Sequence, residues 1–233
     1  MKKNRMMRLA SVLLVAVLMT TCTISGTFAK YVSEGSADDT ARVAKWGIEV
    51  ASSGYLFSTG YVKVGDGSGN IPGDTDLTVF SSTGDKVLAP GTKSNNDGMV
   101  LSMTGTPEVS VSVEYEAEIE LENWVYNGQF CCPLVFTIDG TEIDGADYYG
   151  RMSDFKAAII EAIEGQSAEY TPNTDLGAQA SSSVQISWEW PFEGANIAGV
   201  SRDVIDTYLG DQAADDNAAT VTFEMNVTVT QLD

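Results

Sequence analysis

The residues able to do chemistry in this sequence are carboxylates, and their most regular spacing is a row of glutamates two apart: Glu114, Glu116, Glu118, Glu120 and Glu122. Two carboxylates at a fixed separation are the equipment of a glycoside hydrolase, one acting as acid and the other as base or nucleophile. A strict spacing of two, however, belongs to a strand, in which alternate side chains share a face. The intervening residues Val113, Tyr115, Ala117, Ile119 and Leu121 are all apolar. The glutamates therefore read as the solvated side of a strand and not as a catalytic pair. Other catalytic chemistry is thinly supplied. There is no histidine, which removes Ser-His-Asp and Cys-His arrangements, histidine zinc sites and the usual neutral-pH base. No GxxxxGK[ST] or GxGxxG segment offers a phosphate loop. The expectation is a protein that is not an enzyme, with no catalytic, cofactor-binding or metal-ligating residue.

Calcium is the one ligand worth weighing. Asp66, Ser68 and Asn70 present oxygen donors at alternate positions, as calcium loops do, but Ile71 and Leu77 stand where such a loop places its glycine and its bidentate glutamate. Asp211, Asp215 and Asp216 form a second acidic cluster. Both are expected to be solvated turns. Trp188 and Trp190 would share a face of a strand and could stack on a sugar, although a place in the core is the stronger reading. Three cysteines make no disulfide framework. Cys131 and Cys132 are adjacent and would point to opposite faces, which favours one buried and one half-buried thiol over a strained vicinal disulfide. Cys22 lacks a small residue immediately before it, which disfavours lipidation there.

The elements that carry these groups are mainly strands. Glu108 to Glu122 alternates without a break, and Thr220 to Gln231 repeats the pattern with Val221, Phe223, Met225, Val227 and Val229 inward. A strand with one apolar face needs a second layer to cover it. Ala41 to Val50 reads as a first strand with Ala44, Trp46, Ile48 and Val50 on one face. Short strands follow within Tyr55 to Val64 and at Leu77 to Ser81, Met99 to Thr104 and Pro133 to Ile138. Asp139-Gly140 signals a two-residue hairpin into Thr141 to Ile143. Ser153 to Glu164 changes to helical period, with Ser153 as cap and Gly165 as stop. Arg202 to Leu209 reads as a short helix stopped at Gly210, with Val204, Ile205, Tyr208 and Leu209 inward. Gln166 to Ser182 reads as polar loop, and Val184, Ile186, Trp188 and Trp190 as another strand. The fold class is all-β: a jelly-roll-like two-sheet sandwich with one or two short inserted helices. It is expected to form one domain over 41–233, with the helical insertion around 148–182.

The beginning of the chain reads as an export leader over residues 1–29. Lys2, Lys3, Arg5 and Arg8 precede an apolar stretch from Leu9 to Met19, and Thr27 and Ala29 are the small residues a signal peptidase requires before a cut at Lys30. The polar run from Thr20 to Thr27 favours cleavage over an uncleaved anchor. Cleavage would free a polar arm over 30–40, read as flexible, in which Tyr31 and Val32 are the only sizeable apolar groups. It would also leave about 200 residues, enough for one sandwich with its own core. The leader holds four of the 13 basic residues and none of the 33 acidic ones, so the remainder is more acidic still than the whole chain's net charge of −20. Such a surface repels nucleic acid and anionic membranes. The closing residues Val229 to Asp233 show no hydrophobic tail with a basic stop, so no attachment through the C-terminus is expected.

Several of these segments form one pattern. Gly26-Thr27-Phe28-Ala29-Lys30-Tyr31 at the leader boundary, a spacer, and then Ala41-Arg42-Val43-Ala44-Lys45-Trp46-Gly47-Ile48 resemble the start of the camelysin/TasA family, whose members are exported through a dedicated signal peptidase of the SipW type. Leu88-Ala89-Pro90-Gly91-Thr92, with the long strand that follows, and the closing Val221 to Thr228 are similar to that family's Pro-Gly turn and last core strand. The resemblance implies a secreted protein of the extracellular matrix or cell surface of a Gram-positive-type bacterium. It implies self-association into biofilm fibres, in which the freed arm (Lys30, Tyr31 and Val32 onward) adds as a strand to a neighbour. Other matrix or surface proteins are further expected partners. The sequence departs from the family in the segment from Tyr148 to Ser182, which has no counterpart motif, and in its sparsely apolar arm. Camelysins have also been described as metallopeptidases, but this sequence has no HExxH. The alternative reading is a calcium-dependent adhesin or carbohydrate-binding module using loops at one end of the sandwich.

Overall fold

The period-two segments pair into antiparallel sheets in the computed structural model, which describes residues 41–62, 77–94, 98–215 and 217–232. The described residues divide after Val43, and the sandwich is the part from Ala44 onward. In chain order its elements are β1 (Ile48–Gly54), β2 (Gly60–Val62), β3 (Leu77–Phe80), β4 (Met99–Gly105), β5 (Val111–Glu122), β6 (Val125–Tyr126), β7 (Gln129–Phe130), β8 (Val135–Ile138), β9 (Thr141–Asp144), α1 (Met152–Glu164), β10 (Ala168–Tyr170), β11 (Ser183–Glu189), α2 (Arg202–Ala214) and β12 (Thr220–Gln231). One sheet runs β1-β4-β11-β8-β9 and the other β10-β5-β12; β2-β3 and β6-β7 are separate hairpins. The result is the expected β-rich sandwich with two helices.

The longest ladder joins β5 to β12 without a register shift, from Thr220 opposite Glu122 to Gln231 opposite Val111. Its hydrophobic alternation fixes the register, because a slip of one residue would turn every apolar group to solvent. The β8–β9 hairpin turns at Asp139 (φ 45°) and Gly140 (φ 83°), two successive left-handed residues as a two-residue turn of this hand requires.

The core lies between the sheets. Val111, Val113, Tyr115, Ile119 and Leu121 of β5 are buried, as are Met103, Phe136, Ile138, Val184, Ile186 and Trp188 of the larger sheet. Helix α1 closes one side through Phe155, Ile159 and Ile163, with the Phe155 ring centred 5.4 Å from Tyr148, 5.8 Å from Phe130 and 6.0 Å from Phe136. Both strand tryptophans belong to this core. Trp188 Nε1 donates to Leu56 O at 2.7 Å, and its ring packs 5.9 Å from Tyr61. Trp190 packs at a tilt against Trp124, ring centres 5.5 Å apart, and the Trp124 Nε1 donates to Thr220 O at 2.8 Å and ties the start of β12 down.

Among the described residues Arg202 is the one buried charge. At the start of α2 its guanidinium donates to Pro133 O (3.0 Å), Ala195 O (3.3 Å) and Asp144 Oδ2 (3.3 Å), which joins the helix to the loop before β8 and to the end of β9. A buried cation is tolerable only with such a full set of acceptors.

Several local expectations are corrected. The first strand is Ile48–Gly54, not Ala41–Val50, because Gly47 (φ 56°) interrupts the extended run; Trp46 and Val50 are exposed, so the supposed inward face does not exist. Helix α1 begins one residue earlier than expected, and Ser153 does not cap it: Arg151 holds the cap position, without a side-chain cap bond. Gly210 does not stop α2, which continues to Ala214, and Val204 points outward at 49% exposure. The stretch expected to be loop from Gln166 contains β10 and two short 3-10 turns. Both Cys131 and Cys132 are fully buried as free thiols, where one had been expected half-exposed.

Candidate functional site

The leader junction at Thr27, Ala29 and Lys30, the arm residues Lys30, Tyr31 and Val32, and the Asp66 to Asn70 loop all lie outside the described residues. Asp211 sits in the last turn of α2 and Asp215 just beyond it, joined by an Asp215 N–H to Asp211 O bond of 3.2 Å, and both are solvent-exposed; Asp216 lies outside the described residues. No group of three or more His, Cys, Asp or Glu side chains among the described residues is placed to hold a metal ion.

The glutamate row occupies the outer face of β5, exposed throughout. Its partner across the ladder supplies Thr228, Asn226, Glu224, Thr222 and Thr220. Glu118 therefore faces Glu224 directly, and Glu164 from the end of α1 joins them around a shallow dent of about 360 Å³. Like charges directly opposite are mildly destabilising. This face is a negatively charged surface.

A cleft of about 410 Å³ lies between α2, the start of β12 and residues 86–90. Its lining is mainly apolar (Phe57, Val87, Leu88, Leu209, Ala213, Val221), with Asp206 at one wall. Burial raises the Asp206 carboxyl above its usual range, opposed by the bond it accepts from Trp190 Nε1 at 3.0 Å and by the nearby Arg202 charge. Residue spacing along the chain gave no sign of this pairing, since Trp190 and Asp206 meet only through the packing of α2 on the sheet. The thiols are no more reactive. Burial pushes Cys131 up to about 11 and Cys132 higher still, so neither supplies a thiolate at neutral pH.

What the sandwich does leave open is strand edge. β12 is terminal in its sheet and β1 in the other. The polarity of the β12 edge follows from one bond. Leu232 N–H donates to Ser110 O at 2.9 Å, and the register is one-to-one from there. In an antiparallel ladder such bonded pairs recur every second residue. Hence the even-numbered residues of β12 bond to β5. Val221, Phe223, Met225, Val227, Val229 and Gln231 direct their N–H and C=O groups the other way, where no strand stands among the described residues. The side chains tell the same story. The inward row of β5 is buried apart from half-buried Ala117, while Val221, Phe223, Met225, Val227 and Val229 of β12 are all only half-buried. Comparison with protein-family models, curated proteins and solved structures returns no match.

Proposed function

We propose that this chain is an exported structural protein of the cell surface or extracellular matrix, one that assembles into fibres when the arm freed by leader cleavage adds as a strand to a neighbouring copy. The observation that supports this reading is the edge of β1, which has no partner strand beyond β4 among the described residues: unpaired backbone groups of a strand are a template for another chain. The resemblance of the leader boundary to that of the camelysin/TasA family supports export, and no helix among the described residues is long and apolar enough to cross a membrane. The arm, Lys30 to about Asp39, is long enough to pair along the seven residues of β1. Electron microscopy of the leader-cleaved chain, made with and without residues 30–39, tests the mechanism. Filaments from the intact form and none from the shortened one are expected; equal polymerisation of both would overturn it.

A further inference from the structure

Among the described residues, the β12 edge has none of the devices that keep a strand from pairing. Natural edges carry lysine, proline, a bulge or an inward charge. Over its twelve residues β12 has no lysine, no proline and no register shift, and Glu224 is its one charged side chain. Its open N–H and C=O groups belong to the same residues whose apolar side chains are left half-covered. A strand that completes this sheet must therefore bring an alternating apolar row of matching length. Residues 30–39 do not have one, since Tyr31 and Val32 are adjacent and would point to opposite faces.

β12 itself has one. We propose that β12 is the docking edge for a second copy of this chain, two β12 strands pairing antiparallel about a two-fold axis at Met225. The two three-stranded sheets then become one sheet of six strands. Facing must match, so only odd residues can lie opposite odd ones, and the apolar row Val221 to Val229 lies wholly against itself only when Met225 meets its own copy. In that register Val221 faces Val229 of the second copy and Phe223 faces Val227, which covers the half-buried row. On the outer face Thr220 meets Thr230, Thr222 meets Thr228 and Glu224 meets Asn226, so no like charges are directly opposed. Thr–Thr pairs of this kind are favourable across strands. Such a contact uses the same patch on both partners and closes at two. It is separate from the arm and does not depend on the arm's role.

The test is sedimentation velocity on the chain as released by its native cell, together with edge variants. T222K/T228K sets introduced ammonium groups opposite each other across the two-fold axis. Within one copy those positions face Glu120 and Glu114, so the fold is not penalised. The dimer is expected to weaken by roughly tenfold or more, against the general easing of charge repulsion. Mixing with T222E/T228E is expected to restore pairing as a heterodimer. M225C is expected to cross-link to its own copy under mild oxidation, since bonded antiparallel pairs bring Cα atoms to about 5.5 Å, and V221C is not. A monomer at every concentration, indifference to T222K/T228K, or V221C cross-linking as readily as M225C would each overturn the proposal. Deleting residues 30–39 is expected to leave this dimer intact, so a failure of the arm mechanism and a failure of β12 pairing are told apart.

Discussion

Replacing Arg202 by methionine removes the buried cation and keeps most of its aliphatic bulk. The side chain is 5% exposed and donates to two backbone carbonyls, Pro133 O at 3.0 Å and Ala195 O at 3.3 Å, as well as to Asp144 Oδ2 at 3.3 Å. Hydrogen bonds from a charged donor contribute about 1.5–3 kcal/mol each, and breaking a fully buried ion pair by removing one partner costs about 3–5 kcal/mol. Asp144 is 34% exposed and can hydrate once abandoned, so the ion-pair part is discounted and the carbonyls carry the loss. Arg202→Met is expected to cost about 2–3 kcal/mol, against less than about 1 kcal/mol for Asp144→Asn, which leaves both carbonyl bonds in place. Urea denaturation of each variant and of the pair gives these values and their coupling. At a slope of about 2 kcal/mol/M the Arg202→Met midpoint falls by about 1 M. A loss under about 0.5 kcal/mol, or one equal to that of Asp144→Asn, would refute the view that the guanidinium fastens α2 to the sheet through the backbone.

Two further outcomes follow from the buried groups. The folded state holds the Asp206 proton more tightly than the unfolded one, so the stability tied to that proton is complete below the ordinary aspartate value of 3.8 and is lost as pH rises through the higher folded value. Asp206→Asn, which keeps an oxygen for Trp190 Nε1, is expected to raise the melting temperature at pH 7 and to leave it unchanged below pH 3.8; a lower melting temperature at pH 7 would sink that account. Cys131 and Cys132 are expected to be silent to a thiol reagent in the native leader-cleaved chain and to react once guanidinium unfolds it, and rapid labelling of either thiol in the native state would contradict their burial.

What was legible in the sequence is what burial had written there. β5 shows its period of two over its full length because one face meets the core and the other meets water. It begins at Val111 and not Glu108 because Glu108 is occupied elsewhere, its N–H donating to Lys45 O and its carboxylate accepting from Lys45 N. The Asp139-Gly140 turn was legible for a local reason, its left-handed backbone. β1 was misplaced because an edge strand held by backbone pairing to β4 needs no apolar face, and Ala51-Ser52-Ser53 reads like loop. α2 outran its expected stop because one helical glycine costs only about 1 kcal/mol, which continued packing can exceed. β10 was missed for a similar reason: three residues carry too little pattern, and the strand exists because β5 offers it Val111 to Val113. For the candidate site, the inward row of β12 could be read, but its partial exposure could not. That property depends on which strand is missing beside it, and no residue within β12 records its neighbours.

The opposition of Glu118 and Glu224 on the outer face of the smaller sheet has a geometric outcome. Laying that face against its own copy would press together carboxylates from β5 of both molecules. Charge repulsion disfavours such stacking at low salt, and the cross-strand neighbours on β12 are mostly threonine and asparagine. In the proposed β12-paired dimer the two such faces would lie side by side in one sheet, and a divalent salt that bridges carboxylates is the agent that would let them be laid against another copy.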